Sequence, residues 1–332
     1  MARPTRAANI DDKIDALKRI RQGASPELTK LILDASLKDT NWLIVSEACA
    51  TIVQLSLRDF NQLLLEIWPR FIENAVKRDP GCRAKEAALK ALDYAELLDP
   101  DPFLTAIRYK QFEPVLGGKV DTAGALRVRS LQALLRMSHS KAALFAGELM
   151  ADSDAQVRAG AAQAIGFYAN TSSSALLTYK LREGDDDPAV LLECALALLS
   201  TDAEFGLGIL VPNLSGKNAL NRETAALALG QCRDTRATQA LLEWTEGIAI
   251  DEDHNLAIRA LGLSRDESAR RYLFGLVESG AMVRARAAVE ALAVHRYDRQ
   301  LTQLVRNTAL RRGNADLREF VERVFGATEV AG

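Results

Sequence analysis

"DSDAQVRAGAAQAIG", Asp152 to Gly166, decides how the whole chain is read. It opens on an acidic turn, passes through Val157 and Arg158, continues in small residues and ends on Ile165-Gly166. The same skeleton returns as "DDDPAVLLECALALL" (185–199), "GKNALNRETAALALG" (216–230), "AIDEDHNLAIRALG" (249–262) and "SGAMVRARAAVEALA" (279–293). A degenerate last copy is "NADLREFVERVFG" (314–326). The copies end at Gly166, Leu199, Gly230, Gly262, Ala293 and Gly326, a period of 31–33 residues, which is the range of helical repeats.

Each period holds a second amphipathic segment. "SSSALLTYKLRE", "AEFGLGILVPNL", "RATQALLEWTEG" and "ESARRYLFGLVES" lie between the copies and carry apolar residues at helical spacing. One helical hairpin cannot bury its apolar stripe alone, whereas stacked hairpins share a continuous core. The expected fold class is therefore all-α, an α-α superhelix or solenoid. Ala161, Ala162, Ala225 and Ala226 are small enough to let neighbouring helices approach. Asp154 and Asp187 precede helix starts, where a carboxylate accepts from free amides and favours the helix dipole. Pro188 suits a first helical turn, where its missing N–H costs nothing. Arg158 is expected to tie adjacent turns by ion pairing.

The motif resembles the HEAT-like repeat in its short, phycobilisome-lyase-type form. Asp154, Val157, Arg158, Ala161, Ala162, Ala164, Ile165 and Gly166 carry the resemblance, together with their downstream equivalents. It covers residues 121–326 well and the earlier part weakly. It implies a solenoid of HEAT-like hairpins and leaves function open, since one fold hosts many functions. The Trp-Leu-Gly-Tyr series of tetratricopeptide repeats and the Thr-Pro-Leu-His of ankyrin repeats are absent.

Residues 1–120 read as an irregular helical cap continuous with the solenoid, 121–326 as the regular repeats and 327–332 as a flexible tail. In the cap, Pro69 should break "FNQLLLEIWPRFIENAVKRD" after Trp68. The stretch "YKQFEPVLGGKVDTAGALRVRS", Tyr109 to Ser130, interrupts the helical pattern. A helix over 103–112 should end at Pro114, Gly117 and Gly118, and Asp121 and Thr122 offer caps for the helix that follows. Turn chemistry explains that much. The extra length makes Glu113, Gly117, Gly118, Asp121 and Arg127 candidate partner contacts, because loops are where binding residues concentrate.

Of the residues, 48% are hydrophobic, enough for a substantial core, and 6% are aromatic, which favours closely packed helices over a sandwich. The net charge of −2 gives no global attraction to polyanions. No apolar run reaches the ~18 residues that suggest a membrane span. "MARPTRAANIDDK" has no apolar segment behind its basic residues, so it does not read as a secretory signal. Cys49, Cys82, Cys194 and Cys232 form no CxxC pair and read as reduced, buried thiols of a cytoplasmic protein.

Chemistry is sparse. His139, His254 and His295 have neither HExxH nor a nearby cysteine, and the paired His-Glu motifs of deoxyhypusine hydroxylase are absent. The acidic clusters 185–187 and 251–253 precede helices and read as caps. No catalytic residue, metal site or cofactor is expected. After Lys217 the chain contains arginine and no lysine, and Arg270 and Arg271 are candidate contacts for an acidic partner or nucleic acid. The leading expectation is a non-enzymatic scaffold or adaptor that binds another protein on the concave face. An accessory enzyme of the chromophore-lyase type is the alternative. A nucleic-acid-binding or DNA-glycosylase-like protein is the second, although Trp42, Trp68 and Trp244 are far apart in sequence.

Overall fold

The computed structural model describes residues 6–168, 171–248 and 251–326. The tail at 327–332 and the first two residues of the copy that starts at Ala249 lie outside the described residues. The chain groups into two compact units, Met1–Ala164 and Ile165–Gly332. Almost all regular structure is helical, and among the described residues no helix is long and apolar enough to cross a membrane.

The first unit contains α1 (Arg6–Arg21), α2 (Pro26–Leu37), α3 (Trp42–Gln54), α4 (Asn61–Leu65), α5 (Ile67–Ile72), α6 (Ala75–Arg78) and α7 (Arg83–Tyr94). It continues with α8 (Asp101–Ala106), β1 (Phe112–Val115), β2 (Gly118–Asp121), α9 (Gly124–Arg136) and α10 (Ala142–Met150). The next helix, α11 (Ala155–Phe167), runs across the division between units. Helices α3, α7 and α9 pack in succession; α2, α4, α5, α8 and α10 cover them. Leu33, Val45, Ile52, Leu89, Leu92, Leu131 and Leu134 fill the space between these layers.

Two sequence expectations fail here. The break near Pro69 falls before it, at Glu66, between α4 and α5. Proline cannot donate to the carbonyl four residues back, so the chain restarts and places Pro69 in a first turn, where no donor is needed. The helix expected over 103–112 ends at Ala106, and Phe112 begins a strand. Residues 113–121 are therefore a β-hairpin, not an irregular loop. Val115 pairs with Gly118 across the two-residue turn Leu116-Gly117, and Gly117 has φ +91°. That left-handed conformation favours glycine. Pro114 opposes Lys119 one step from the closing pair, where ladder alternation turns the proline nitrogen outward and no bond is lost.

The second unit contains α12 (Thr171–Glu183), α13 (Pro188–Thr201), α14 (Ala203–Asn213), α15 (Ala219–Gln231) and α16 (Thr235–Gly247). After these come α17 (Asp251–Leu263), α18 (Glu267–Ser279), α19 (Met282–Leu292), α20 (Arg299–Arg312) and α21 (Ala315–Phe325). Second helices α13, α15, α17, α19 and α21 pack in sequence, and first helices α14, α16, α18 and α20 form the other layer. These are stacked helical hairpins in two layers. The repeat glycines act through close approach. A β-carbon on Gly262 would lie 2.7 Å from Ala291 Cβ, and one on Gly230 would collide with the Ala260 carbonyl.

The caps follow from the turn residues. Asp154 Oδ1 accepts from Gln156 N at 2.9 Å, and Asp187 Oδ1 accepts from Ala189 N at 2.9 Å with Pro188 at the helix start. Arg158 donates to the carbonyls of Asp152 at 2.8 Å and Ser153 at 3.3 Å, binding the turn through backbone acceptors.

Candidate functional site: an anchored hairpin

Asp79 begins the local structure beneath the hairpin. Its Oδ1 accepts from Ala84 N at 2.7 Å and its Oδ2 from Lys85 N at 3.2 Å, which satisfies free amides at the start of α7. Lys85 Nζ returns to Asp79 Oδ2 at 2.8 Å and to the Phe71 carbonyl at 3.2 Å. Both side chains are completely buried. Such a pair needs its hydrogen bonds, because desolvating two charges costs several kcal/mol per ion.

The hairpin base is built onto this centre. Gln111 Nε2 donates to the Asp79 carbonyl at 2.9 Å and to Glu113 Oε1 at 2.7 Å. The same Glu113 oxygen accepts from Gly81 N at 2.6 Å and Thr122 Oγ1 at 2.9 Å. Asp121 Oδ1 accepts from Gln111 N at 3.0 Å and Ala123 N at 3.1 Å. Arg127 Nη1 reaches Asp121 Oδ2 at 2.7 Å and the Tyr109 carbonyl at 3.0 Å. Its Nε lies 3.1 Å from Asp152 Oδ2, a charge contact without hydrogen-bond alignment.

Burial pushes the Glu113 carboxyl up, but the bonds from Gly81, Gln111 and Thr122, with the charge of Lys85, outweigh it and hold it below the usual range. Asp121 follows the same balance: burial raises it, and donors from Gln111, Ala123 and Arg127 lower it further. Burial lifts the Tyr109 phenol to about 12, so it stays protonated and donates to Gln111 Oε1 at 3.0 Å.

The structure thus places Glu113, Gly117, Gly118 and Asp121 in one hairpin, with Arg127 on α9 bracing its base, and gives them unequal positions. Glu113, Asp121 and Arg127 anchor the base, and Arg127, with a side chain 1% exposed, is enclosed. Gly117 makes the turn. The exposed apolar side chains belong to other residues: Val115 and Val120 on one side of the ribbon, Phe112 on the other, and Leu116 in the turn at 107% relative exposure. "PVLGGKV" held the signal, because a Gly-Gly between short β-prone runs marks a hairpin.

Arg270 and Arg271 belong to the second unit, on α18 in the first-helix layer; Arg271 is exposed and Arg270 half-buried. The same unit has an open groove of about 680 Å³ on its second-helix layer, lined by Leu227, Leu263, Val283, Ala287, Arg259 and Arg286, among others. No residue of α18 lines it. Arg286 and Arg323 stack on Phe320 at 5.4 and 5.0 Å, while Arg259 lies 3.9 Å from Glu223.

Other residues have local roles. Lys180 pairs with Asp185 at 2.7 Å and Arg222 with Asp253 at 2.8 Å; the Asp251 side chain lies outside the described residues. His295 Nε2 is 3.0 Å from the Gly262 carbonyl, His139 Nδ1 accepts from Lys141 N at 3.2 Å, and His254 is buried. Burial raises the thiols of Cys49 and Cys194 to about 12 and Cys82 to about 11. They remain protonated near neutrality and are poor nucleophiles. Among the described residues, no group of three or more His, Cys, Asp or Glu is placed to hold a metal ion.

No family model matches this chain, and no curated protein matches it. A solved structure similar to it is the complex of CpcE and CpcF of phycocyanin lyase from Nostoc sp. PCC7120. The identity is 17%, the match covers 90% of this chain and 95% of that one, and the TM-score is 0.34.

Proposed function

We propose that the protein is a non-enzymatic binding module, a scaffold or adaptor, whose β-hairpin is the contact arm for another protein. The single observation that carries this reading is an apolar tip on an immobilised base. Leu116 is fully exposed while Glu113, Asp121 and Arg127 fix the strands below it. A rigid apolar arm loses little conformational freedom on binding, which favours affinity. Burying a side chain such as Leu116 or Phe112 contributes about 1.5–3 kcal/mol before association costs. Bound carboxylates and the protonated Cys82 thiol at the base support binding over bond chemistry. In this reading Glu113, Asp121 and Arg127 position the arm, and Val115, Leu116 and Val120 meet the partner.

A photo-crosslinking amino acid at position 116, compared with one at exposed Leu144, tests the proposal in extract of the source organism. A discrete protein adduct is expected from 116 alone, and Leu116→Asp should abolish co-purification of that protein without lowering the melting temperature. Equal adducts from both positions, or full co-purification by Leu116→Asp, would overturn it.

A further inference from the structure

The two edges of the hairpin are not equivalent. Thr122 N donates to the Gln111 carbonyl at 2.9 Å, one step below the paired strands. Antiparallel ladders alternate, so Glu113–Val120 and Val115–Gly118 bond across the hairpin. The pairs between them, Phe112–Asp121 and Pro114–Lys119, turn their main-chain groups away from each other. On the outer edge of β1, Pro114 has no N–H to offer. On the outer edge of β2, Lys119 and Asp121 each present an N–H and a C=O, and among the described residues nothing bonds to these four groups. No helix packs along β2, whose strand neighbour is β1 alone. Lys119 and Val120 are exposed, so this edge stands open. A row of unpaired main-chain groups is a template for another strand.

Side chains narrow the occupant. Directly opposite residues of an antiparallel pair share a face and touch. Val120 shares its face with Val115, and Gly118 leaves room there, since a β-carbon on it would meet nothing within 4 Å. Lys119 is on the other face, exposed and without a carboxylate partner among the described residues. An incoming strand therefore needs apolar side chains opposite Val120 and Gly118 and an acid opposite Lys119. A second copy of β2 fits less well. Centred on Val120, it would set Asp121 opposite Lys119, and that carboxylate is already held by Arg127 and two amides.

We propose that the partner of the contact arm adds an antiparallel strand to the free edge of β2, with an acidic residue facing Lys119 between two apolar ones. This rests on the reading of the hairpin as the contact arm. Main-chain bonds at 119 and 121 set the register, apolar contacts with Val115 and Val120 supply attraction, and Lys119 selects the sequence.

The probe is the peptide acetyl-Ser-Thr-Ile-Glu-Ile-Ser-amide, titrated into the ¹⁵N-labelled full-length protein. The amide signals of Lys119 and Asp121 should shift saturably and exchange with solvent about tenfold more slowly. The same peptide N-methylated at its glutamate should bind about fivefold more weakly, the ratio for one net hydrogen bond. Lys119→Pro should abolish binding and leave the hairpin ladder intact, because that N–H faces away from β1. Lys119→Ala should retain binding and lose the preference for glutamate over lysine in the peptide. Unmoved Lys119 and Asp121 amides, equal binding of the N-methylated peptide or unaltered binding by Lys119→Pro would overturn the proposal. So would slow exchange at both amides in the peptide-free protein together with a concentration-dependent dimer, which would put a second copy at the edge. If a protein captured through position 116 is lost from Leu116→Asp and retained by Lys119→Pro, the contact arm stands and strand addition fails.

Discussion

The hairpin region of the first unit and the repeats of the second solve the packing problem with opposite materials. In the repeats, alanine and glycine set the spacing: Gly166 faces Ala197, Gly230 faces Ala260 and Gly262 faces Ala291. Charged side chains there largely stay at turns and edges as caps and partly exposed pairs. Around the hairpin, the charges go inside. Asp79, Lys85 and Arg127 are essentially unexposed and are held by hydrogen bonds on several sides. The difference teaches what each material is good for. Small residues allow one geometry to be repeated at low cost. A buried polar network holds a single irregular element, because its bonds are directional and unforgiving.

The sharpest way to break this comparison is Lys85→Met, which leaves Asp79 buried without its partner. We expect a loss of about 3–5 kcal/mol in chemical denaturation. The double variant Asp79→Asn with Lys85→Met should recover much of it, since no charge is then buried and the asparagine oxygen still accepts from one of the two α7 amides. If the double variant is no better than Lys85→Met, the pair is not the source of the penalty.

The matching test in the repeats is Gly230→Ala, which forces a methyl against the Ala260 carbonyl. Overpacking of this kind costs about 1–3 kcal/mol. Gly208→Ala is the control: a β-carbon there meets nothing within 4 Å, and alanine should be neutral or better by up to about 1 kcal/mol. Equal effects at the two glycines would show that close approach does not explain the repeat's small residues.

The hairpin base should also depend on pH, and the sign follows from the depressed carboxyls of Glu113 and Asp121. A folded value below the unfolded one contributes stability in full above the unfolded pKa. That contribution is lost as pH falls through the folded value. The hairpin should therefore stay anchored through the neutral range and loosen only below about pH 4. Backbone amide shifts of Gly81 and Ala123 report this directly. Glu113→Gln, costing about 1 kcal/mol at neutral pH, should flatten the Gly81 response. A Gly81 transition unchanged by that substitution would remove Glu113 from the explanation.

The smallest expected effect on stability is that of reversing Arg270 and Arg271 to glutamate, within about 0.5 kcal/mol at this surface. Once a partner is captured through position 116, a salt series of association rates compares these variants with Leu116→Asp. A large rate loss from the arginine reversal alone would move the contact surface to the second unit.

Sequence reading reached some of these features and missed others for identifiable reasons. Helices α12 to α19 and α21 were legible because their segments repeat a pattern of turn residues, small residues and apolar spacing, a local property multiplied by five periods. The Asp187-Pro188 start of α13 is one example, where the side chain and ring act within a single turn. At residues 103–121 the local pattern predicts helix and loop, where the chain makes a short helix and a hairpin. Local propensity was weak there, and Gln111, Asp121 and Arg127 decide the outcome through contacts with Asp79, Tyr109 and Asp152.

The sequence by itself determined the all-α class, the repeat period, most helix boundaries in the second unit and the caps that start them. All of these depend on residues within a turn or two of one another, where a side chain's geometry is set by its own backbone. The tertiary structure alone decided that Lys85 and Arg127 are interior charges and that Leu116 stands clear of the surface. Burial is a property of what packs on a residue from elsewhere in the chain. The partners of these side chains lie 6 to 32 residues away in the Asp79, Gln111 and Arg127 network, a separation that no local pattern encodes.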